Sequence, residues 1–188
     1  MDGLQLSWSS SLRVAHPARI ASKDLQGDKI LLPQSALEQL LAASSSSVPG
    51  MHSFTAFDSH NPYSVAGRRQ FRDNDRQLPH PLMFQLINQK NGNTVYAGIR
   101  EFSADEGEVA LSPHLLDALG ICESDIAEVS AGRTEDGARI VVRAKQLPKG
   151  EYVRLRPMEA GYDPDDWRPL LERQLRSSYT TLTKGSIL

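Results

Sequence analysis

At 188 residues, the chain is long enough for one domain, or one domain with part of a second, and needs no metal or disulfide to stabilise its core. The formal net charge of -2 argues against nonspecific nucleic-acid binding. The single cysteine, Cys122, excludes an internal disulfide and a cysteine-based zinc site. Neither a signal peptide nor a membrane-spanning run is predicted. We therefore expect a cytosolic or nuclear protein that needs no cofactor.

The first predicted elements are a strand within residues 4–15 and a short buried strand at 30–32. The mixture of apolar and polar residues in LQLSWSSSLRVA is typical of a strand. After the second strand, four apolar residues recur at helical spacing, which predicts a short helix. These residues are Ala36, Leu37, Leu40 and Leu41.

Residues 42–79 show no sustained hydrophobic period, and they predict a disordered insertion. The segment contains the basic run RRQFRDNDR, which suggests an RNA contact at first sight. Asp73 and Asp75 balance part of that charge, so a solvated insertion is the favoured interpretation.

Two hairpins follow the insertion. LMFQLIN and TVYAGIREF flank the pair Asn91-Gly92, a strong hairpin signal. IAEVSAGR and ARIVVRAKQL flank the turn TEDG and predict the second hairpin. The alternating stretch EYVRLRPM at 151–158 predicts another strand. A helix with one apolar face is then predicted near the C-terminus, and its face consists of Trp167, Leu170, Leu171 and Leu175.

A cluster of acids around a histidine raises the question of a catalytic or metal site. The turn chemistry gives a structural alternative, because Gly107 tolerates a positive φ and Asp105 can hydrogen-bond within its own turn. Ser112 followed by Pro113 is typical of a helix N-cap and first helical position. We favour the turn-and-cap interpretation for this cluster, which comprises Glu101, Asp105, Glu106, Glu108 and His114.

An internal repeat supports that interpretation. The stretch ILLPQSALEQL matches VALSPHLLDAL when it is shifted by 79 positions (111 − 32 = 79). Both copies contain a strand, a proline and a short helix, although the prolines are displaced by one position. The repeat predicts a β-barrel with pseudo-twofold symmetry, in which segments 30–41 and 109–120 superpose.

Two other classes of function stay open as alternatives. A carboxylate-dependent hydrolase would use the acid cluster, although phosphate-loop, zinc-protease and nucleophile-elbow motifs are missing from the sequence. A nucleic-acid-binding module would use the run RRQFR together with strand arginines, and it would need one contiguous basic face. Those arginines are Arg139, Arg143, Arg154 and Arg156.

Three segments of the chain resemble the N-terminal region of the ubiquitin fusion degradation family. They are GDKILLPQSALEQL, PLMFQLINQKNGNTVYAGIREFSADEGEVALSPHLLDALGI and LERQLRSSYTTLTKGSIL. The resemblance implies a double-psi β-barrel over residues 10–148 and the start of a smaller mixed α/β subdomain over 150–188, which is expected to be incomplete. The residues that carry the family signature are expected to be structural, and they are Pro33, Leu37, Phe102, Asp105, Glu106, Gly107, Pro113 and Gly185.

The resemblance also implies a function. Members of this family act as non-enzymatic cofactors of a hexameric AAA+ segregase, to which they bring ubiquitylated proteins, including clients from the endoplasmic reticulum. The implied partners are ubiquitin, polyubiquitylated clients, the ATPase and a heterodimer partner that binds a tail absent here. We expect no nucleic acid, no membrane insertion and no catalytic, cofactor or metal site. The expected location is cytoplasm and nucleus, including the cytosolic face of the endoplasmic reticulum.

Overall fold

The computed structural model of the chain describes residues 6–17, 25–46, 78–122, 124–126, 138–158 and 164–187. These residues contain six strands and three main helices. The strands are β1 (Ser9–Val14), β2 (Lys29–Pro33), β3 (Met83–Asn88), β4 (Thr94–Ala104), β5 (Glu108–Leu111) and β6 (Arg139–Ala144). The helices are α1 (Gln34–Ser46), α2 (Pro113–Leu119) and α3 (Pro164–Ser178).

The six strands form a closed barrel, in the order β1-β5-β2-β4-β3-β6. Antiparallel pairing of β6 with β1 completes the closure. Two neighbouring pairs, β1–β5 and β2–β4, are parallel, and the other four are antiparallel. The structure is therefore a mixed α/β protein built on a closed six-stranded ring.

The strand order and pairing directions of the ring have the twofold symmetry that the sequence repeat predicts. Replacing each strand by the one three places later in the chain reproduces every neighbour and every pairing direction. At the junction of the halves, β2 and β5 pair antiparallel, and Leu31 lies opposite Ala110. These two residues are related by the repeat, since 110 − 31 = 79. An approximate twofold axis between the two strands therefore passes through this pair.

The core fills the inside of the ring. Alternate residues of β3 point inward, so Phe84 and Leu86 are fully buried. The Trp8 ring meets Phe84 edge-to-face, with centroids 5.9 Å apart. The rest of the main cluster comes chiefly from the other five strands and the inward faces of α1 and α2. One main apolar core therefore holds both halves of the ring together, and a smaller cluster lies beside it.

Helix α2 has defined caps at both ends. The Ser112 hydroxyl accepts a hydrogen bond from the Leu115 N–H, and Pro113 is the first helical residue. Gly120 ends the helix in the left-handed region, with φ of 64°. The Asn88 and Asn91 side-chain amides, at the β3–β4 hairpin, both donate to the Leu119 carbonyl. The predicted N-cap at Ser112 is confirmed.

Several predicted elements need adjustment. Helix α1 continues to Ser46, so the first residues of the predicted insertion are helical. The remainder of the predicted insertion, except residues 78 and 79, lies outside the described residues. The prediction of a strand at 151–158 is wrong, because this stretch has no regular structure and no partner strand among the described residues. A strand needs a neighbour to accept its backbone hydrogen bonds. Most of IAEVSAGR and its turn also lies outside the described residues.

Helix α3 follows the ring and is only partly covered. Trp167, Leu171 and Leu175 are half-buried, as an apolar face predicts, whereas Leu170 is 68% exposed. The Trp167 Nε1 is buried and has no hydrogen-bond partner among the described residues. All ring strands lie between Ser9 and Ala144. In the described part of the chain, none of the helices combines the length and hydropathy needed to cross a bilayer.

Candidate functional site

The chain returns to the ring after α3, and residues 178–187 lie against the part of the ring where β2 and β4 pair. We call this contact the seam. On the ring side it consists of the turn before β2, part of β4 and helix α2. The seam includes buried charge, close backbone approaches and a cavity.

A buried aspartate is at the centre of the seam. The Asp28 side chain is almost completely buried, because the residue is 1% exposed. Its carboxylate accepts the backbone N–H of Thr180 at 2.9 Å and the Thr181 hydroxyl at 2.7 Å. The Thr181 N–H also donates to it, and the Lys29 ammonium lies 3.5 Å away. A buried carboxylate with this many donors fixes the position of the chain that supplies them.

Two glycines allow the seam to close. A Cβ on Gly98 would lie 2.6 Å from the Thr180 Cβ, which is closer than carbon atoms can approach. A Cβ on Gly27 would lie 2.3 Å from the Ser178 carbonyl oxygen, and Gly27 also has a φ of 61°. Both positions therefore need glycine for as long as the C-terminal segment is in place.

An aromatic contact lies beside the aspartate. The His114 ring of α2 meets the Tyr179 ring edge-to-face, with centroids 5.7 Å apart. Burial lowers the pKa of His114, and the nearby carboxylates of Asp28 and Asp117 oppose that shift. Burial raises the pKa of Tyr179, and the Asp28 charge acts in the same direction. Both rings are therefore held in their neutral forms near pH 7.

A cavity of about 300 Å³ opens at the far end of the seam. Val95, Ala118 and Ile187 give it apolar walls, and His114 and Lys184 add polar groups. Two exposed apolar side chains are close to this cavity: Ile187 is 65% exposed, and the adjoining Leu182 is 41% exposed. A shallow pocket beside exposed apolar residues suits the binding of one or two side chains from another protein.

The predicted signature residues fall into two groups: one lies in the ring and its turns, and the other lies at α2 and the cavity. Pro33 and Leu37 lie at the β2–α1 junction, and Phe102 packs at the edge of the main core. Gly107 has a φ of 77°, as its turn requires. Pro113 and Gly185 belong to the other group, because Pro113 begins α2 and Gly185 lines the cavity. Asp105 and Glu106 lie in the exposed turn before β5.

The acid cluster is distributed over structural contacts. The Glu108 carboxylate pairs with the Arg13 guanidinium at 2.6 Å in the ring wall. The Glu106 carboxylate accepts the Ser35 N–H at 3.3 Å and thereby caps the start of α1. Glu101 accepts the Ser103 hydroxyl. Among the described residues, no group of acids, histidines and cysteine is arranged to hold a metal ion. The geometry supports the turn-and-cap interpretation over the hydrolase.

The arginines of the nucleic-acid alternative do not form one surface element. Arg139 and Arg143 are exposed on β6, whereas Arg154 and Arg156 are exposed on the irregular stretch that follows the ring. The run RRQFR lies outside the described residues.

The most buried polar residues of the seam could not be predicted from the sequence. Asp28 stands in DLQGDK, which reads as an ordinary turn, and its donors are about 150 positions away, with separations of 152 and 153. Thr180 and Thr181 are common residue types without a spacing signal. The close approach of Thr180 to Gly98 could not be predicted from the sequence either, because a glycine within a strand has several possible structural reasons.

Part of the ring matches a known domain. The family model described as Ubiquitin fusion degradation protein UFD1, N-terminal subdomain 1, matches residues 70–135. That range contains β3, β4, β5 and α2. It therefore contains the ring side of the cavity and the turn with the predicted signature.

Curated relatives extend the match. Ubiquitin fusion degradation protein 1 of Saccharomyces cerevisiae is 27% identical over 112 residues, which are 59% of this chain and 27% of the relative. The Caenorhabditis elegans homolog is 30% identical over 109 residues, 57% of this chain and 28% of the relative. The Schizosaccharomyces pombe protein is 29% identical over 111 residues. The chain thus spans little more than a quarter of the length of these relatives.

Over this region the chain is similar to members of the ubiquitin fusion degradation family.

Proposed function

We propose that this protein is a non-enzymatic binding module of ubiquitin-dependent protein degradation. The observation that carries the proposal is the family match over residues 70–135, which include the ring side of the seam cavity. The relatives are named for ubiquitin fusion degradation, and we extend that role to this chain. The structural use of the acid cluster favours binding over hydrolysis.

The seam cavity is our proposed contact for ubiquitin. Ubiquitin presents a small apolar patch, and the cavity offers apolar walls with Ile187 and Leu182 exposed beside it. An interface below standard size gives a dissociation constant on the order of 10⁻⁴ M, or roughly 5 to 6 kcal/mol. Capture of a client then depends on chains that engage several weak sites together.

The proposal includes the wider role implied by the resemblance. In it, the module brings ubiquitylated proteins to a hexameric AAA+ segregase, alone or with a heterodimer partner, and serves clients from the endoplasmic reticulum. The corresponding location is cytoplasm and nucleus. We also propose that the ring is a double-psi β-barrel, because its two parallel strand pairs and repeated strand-strand-helix-strand order support that topology.

Titration of isotope-labelled chain with ubiquitin and with tetraubiquitin tests the proposal. We expect amide shifts to concentrate at the seam cavity, with stronger apparent binding for the chain form. Ile187→Asp should weaken binding at least fivefold. The matched control is Leu41→Asp, which places the same charge at a residue that is 40% exposed on α1.

The two variants separate the possible outcomes. Equal loss of affinity in both variants would contradict the cavity as the contact. Absence of shifts with either form of ubiquitin, at concentrations near 1 mM, would contradict ubiquitin binding itself.

A further inference from the structure

The two sides of the seam cavity come from distant parts of the chain. The ring supplies one side, which includes Val95 of β4 together with His114 and Ala118 of α2. The C-terminal segment, residues 178–187, supplies the other side through its residues 183–187. The cavity is therefore a composite of two surfaces, and its shape depends on how the C-terminal segment is held against the ring.

The part of the C-terminal segment that lines the cavity is a tight turn over residues 183–186. The Ser186 N–H donates to the Thr183 carbonyl at 3.2 Å, and the Ser186 hydroxyl donates to the same oxygen at 2.8 Å. Gly185 has a φ of 86°, which suits the third residue of a type II turn. These contacts fix the shape of the turn, and its position against the ring depends on other bonds.

Hydrogen bonds attach the C-terminal segment to the ring at β4 and at the turn before β2. At β4, the Tyr96 N–H donates to the Thr183 hydroxyl at 3.0 Å. At the turn, the Asp28 carboxylate accepts the Thr180 N–H at 2.9 Å and the Thr181 hydroxyl at 2.7 Å. A charged acceptor forms stronger hydrogen bonds than a neutral hydroxyl does. Asp28 therefore makes the strongest of these attachments.

The space between Asp28 and the cavity is closely packed. A void of about 10 Å³ is lined by Asp28, and also by His114 and Ser186, which line the cavity as well. A void of this size holds about one water molecule. Because closely packed groups transmit a displacement to their neighbours, movement of the C-terminal segment away from Asp28 must also displace the wall of the cavity.

We propose that Asp28 is a positioning residue for the cavity, since its hydrogen bonds hold the C-terminal segment where residues 183–187 complete the binding site. The choice of ubiquitin as the ligand rests on the proposed function. A ligand that contacts both sides of the cavity binds the docked segment better than the undocked one. Ubiquitin binding and docking of the segment are then linked, and each strengthens the other by the same factor.

Asp28→Asn tests the proposal, because the amide keeps the size of the side chain while its nitrogen cannot accept the two Thr181 donors. Titration with tetraubiquitin, followed by amide shifts of the labelled protein, should give an affinity at least fivefold below that of the native protein. Gly98→Ala should weaken binding in the same direction, since it displaces Thr180 and leaves the carboxylate in place.

The matched control is Val142→Ala. Val142 is fully buried in β6, which lies three places from β2 in the ring order and outside the seam. The substitution should lower the free energy of unfolding and leave the affinity for tetraubiquitin unchanged. Urea unfolding first establishes conditions in which all four proteins are folded.

Hydrogen exchange gives a second measurement, which needs no ubiquitin. In Asp28→Asn, the amides of Tyr96 and Ser186 should exchange at least fivefold faster than in the native protein, whereas the amides of β6 should not change. In the native protein, bound tetraubiquitin should slow the exchange of the Thr181 amide, because binding favours the docked segment.

The outcomes separate the positioning role from the proposed function. Native affinity in Asp28→Asn, with faster exchange at Tyr96, would overturn the positioning role and leave ubiquitin binding intact. An equal loss of affinity in Val142→Ala would also overturn it, by showing a dependence on global stability. Unchanged exchange at Tyr96 and Ser186 would overturn it even without ubiquitin. Absence of binding to the native protein would contradict the proposed function, and the exchange rates would then decide the positioning role.

Discussion

The two parallel strand pairs of the ring, β1–β5 and β2–β4, are related by the internal symmetry. We call them the two walls of the ring, and they differ in the side chains that cover them. In the first pair of corresponding positions, Arg13 lies beside Glu108 in the register of β1 and β5, and their side chains form an ion pair. In the second, Gly98 lies beside Lys29 in the register of β4 and β2. There the glycine leaves space, and Thr180 of the C-terminal segment fills it.

The turns before β2 and β5 show the same contrast. Residues 28 and 107 are related by the repeat (107 − 28 = 79), yet one is a buried aspartate and the other an exposed glycine. The aspartate binds the C-terminal segment, whereas Gly107 turns the chain and its carbonyl accepts the Arg13 N–H of the ring itself. In the symmetric ring, the β1–β5 wall is therefore covered by its own side chains, whereas the β2–β4 wall is covered by the C-terminal segment.

The largest expected effect comes from removing the buried charge of the seam. We expect Asp28→Ala to lower the free energy of unfolding by about 3 kcal/mol, because two backbone N–H groups and a hydroxyl lose their acceptor. Urea unfolding measures the change, and Glu38→Ala, an exposed acid on α1, is the control. A loss below about 1 kcal/mol, the size of a neutral hydrogen bond, would show that the seam does not depend on this carboxylate.

Filling the space over Gly98 should have the next largest effect. We expect Gly98→Ala to cost about 2 kcal/mol, because the added Cβ meets Thr180 and forces the segment away. The double variant with Thr180→Gly should recover part of that loss, since the obstructing side chain is then gone. Thermal unfolding of the native protein, the two single variants and the double variant gives the interaction free energy between the two positions. Strictly additive losses would contradict a direct clash.

Substitutions in the β1–β5 wall should lower the free energy of unfolding less than substitutions in the seam. Glu108→Gln should cost about 1 kcal/mol, because Arg13 is 41% exposed and water screens the pair. The difference from the native protein should shrink as salt rises, which urea unfolding at two salt concentrations measures. A loss as large as that of Asp28→Ala would erase the proposed distinction between the two walls.

The smallest effect concerns pH. Because burial lowers the pKa of His114 below its ordinary value of 6.5, the unfolded chain binds this proton more readily than the folded one. Stability should therefore fall as pH drops below 6.5, and this contribution should level off below the folded pKa. His114→Gln should flatten that part of the profile. An identical slope in both proteins would mean that another group is responsible.

Local elements of this fold could be predicted from sequence, whereas the seam could not. Ser112 and Pro113 mark a helix start by local chemistry, and the repeat at 79 residues predicted the twofold relation seen in the strand order of the ring. The strand predicted at 151–158 was wrong because alternation describes a preference, and pairing also needs a neighbour. The hydrogen bond between Asp28 and Thr180 joins residues 152 positions apart. The composition of the turn around Asp28 does not indicate so distant a partner.

The long separation between Asp28 and its donors has a consequence for synthesis. At about 5 to 20 residues per second, the carboxylate is made roughly 8 to 30 s before Thr180 and Thr181, which follow it by 152 and 153 positions. During that interval the nascent chain can pair β1, β2, β3 and β4 only in part, because β5 and β6 come later. All strands of the ring have been made once Ala144 is added, whereas the aspartate keeps its water until Thr180 and Thr181 have left the ribosome. Arrival of the C-terminal segment, and not synthesis of the last ring strand, is therefore the step that completes the seam.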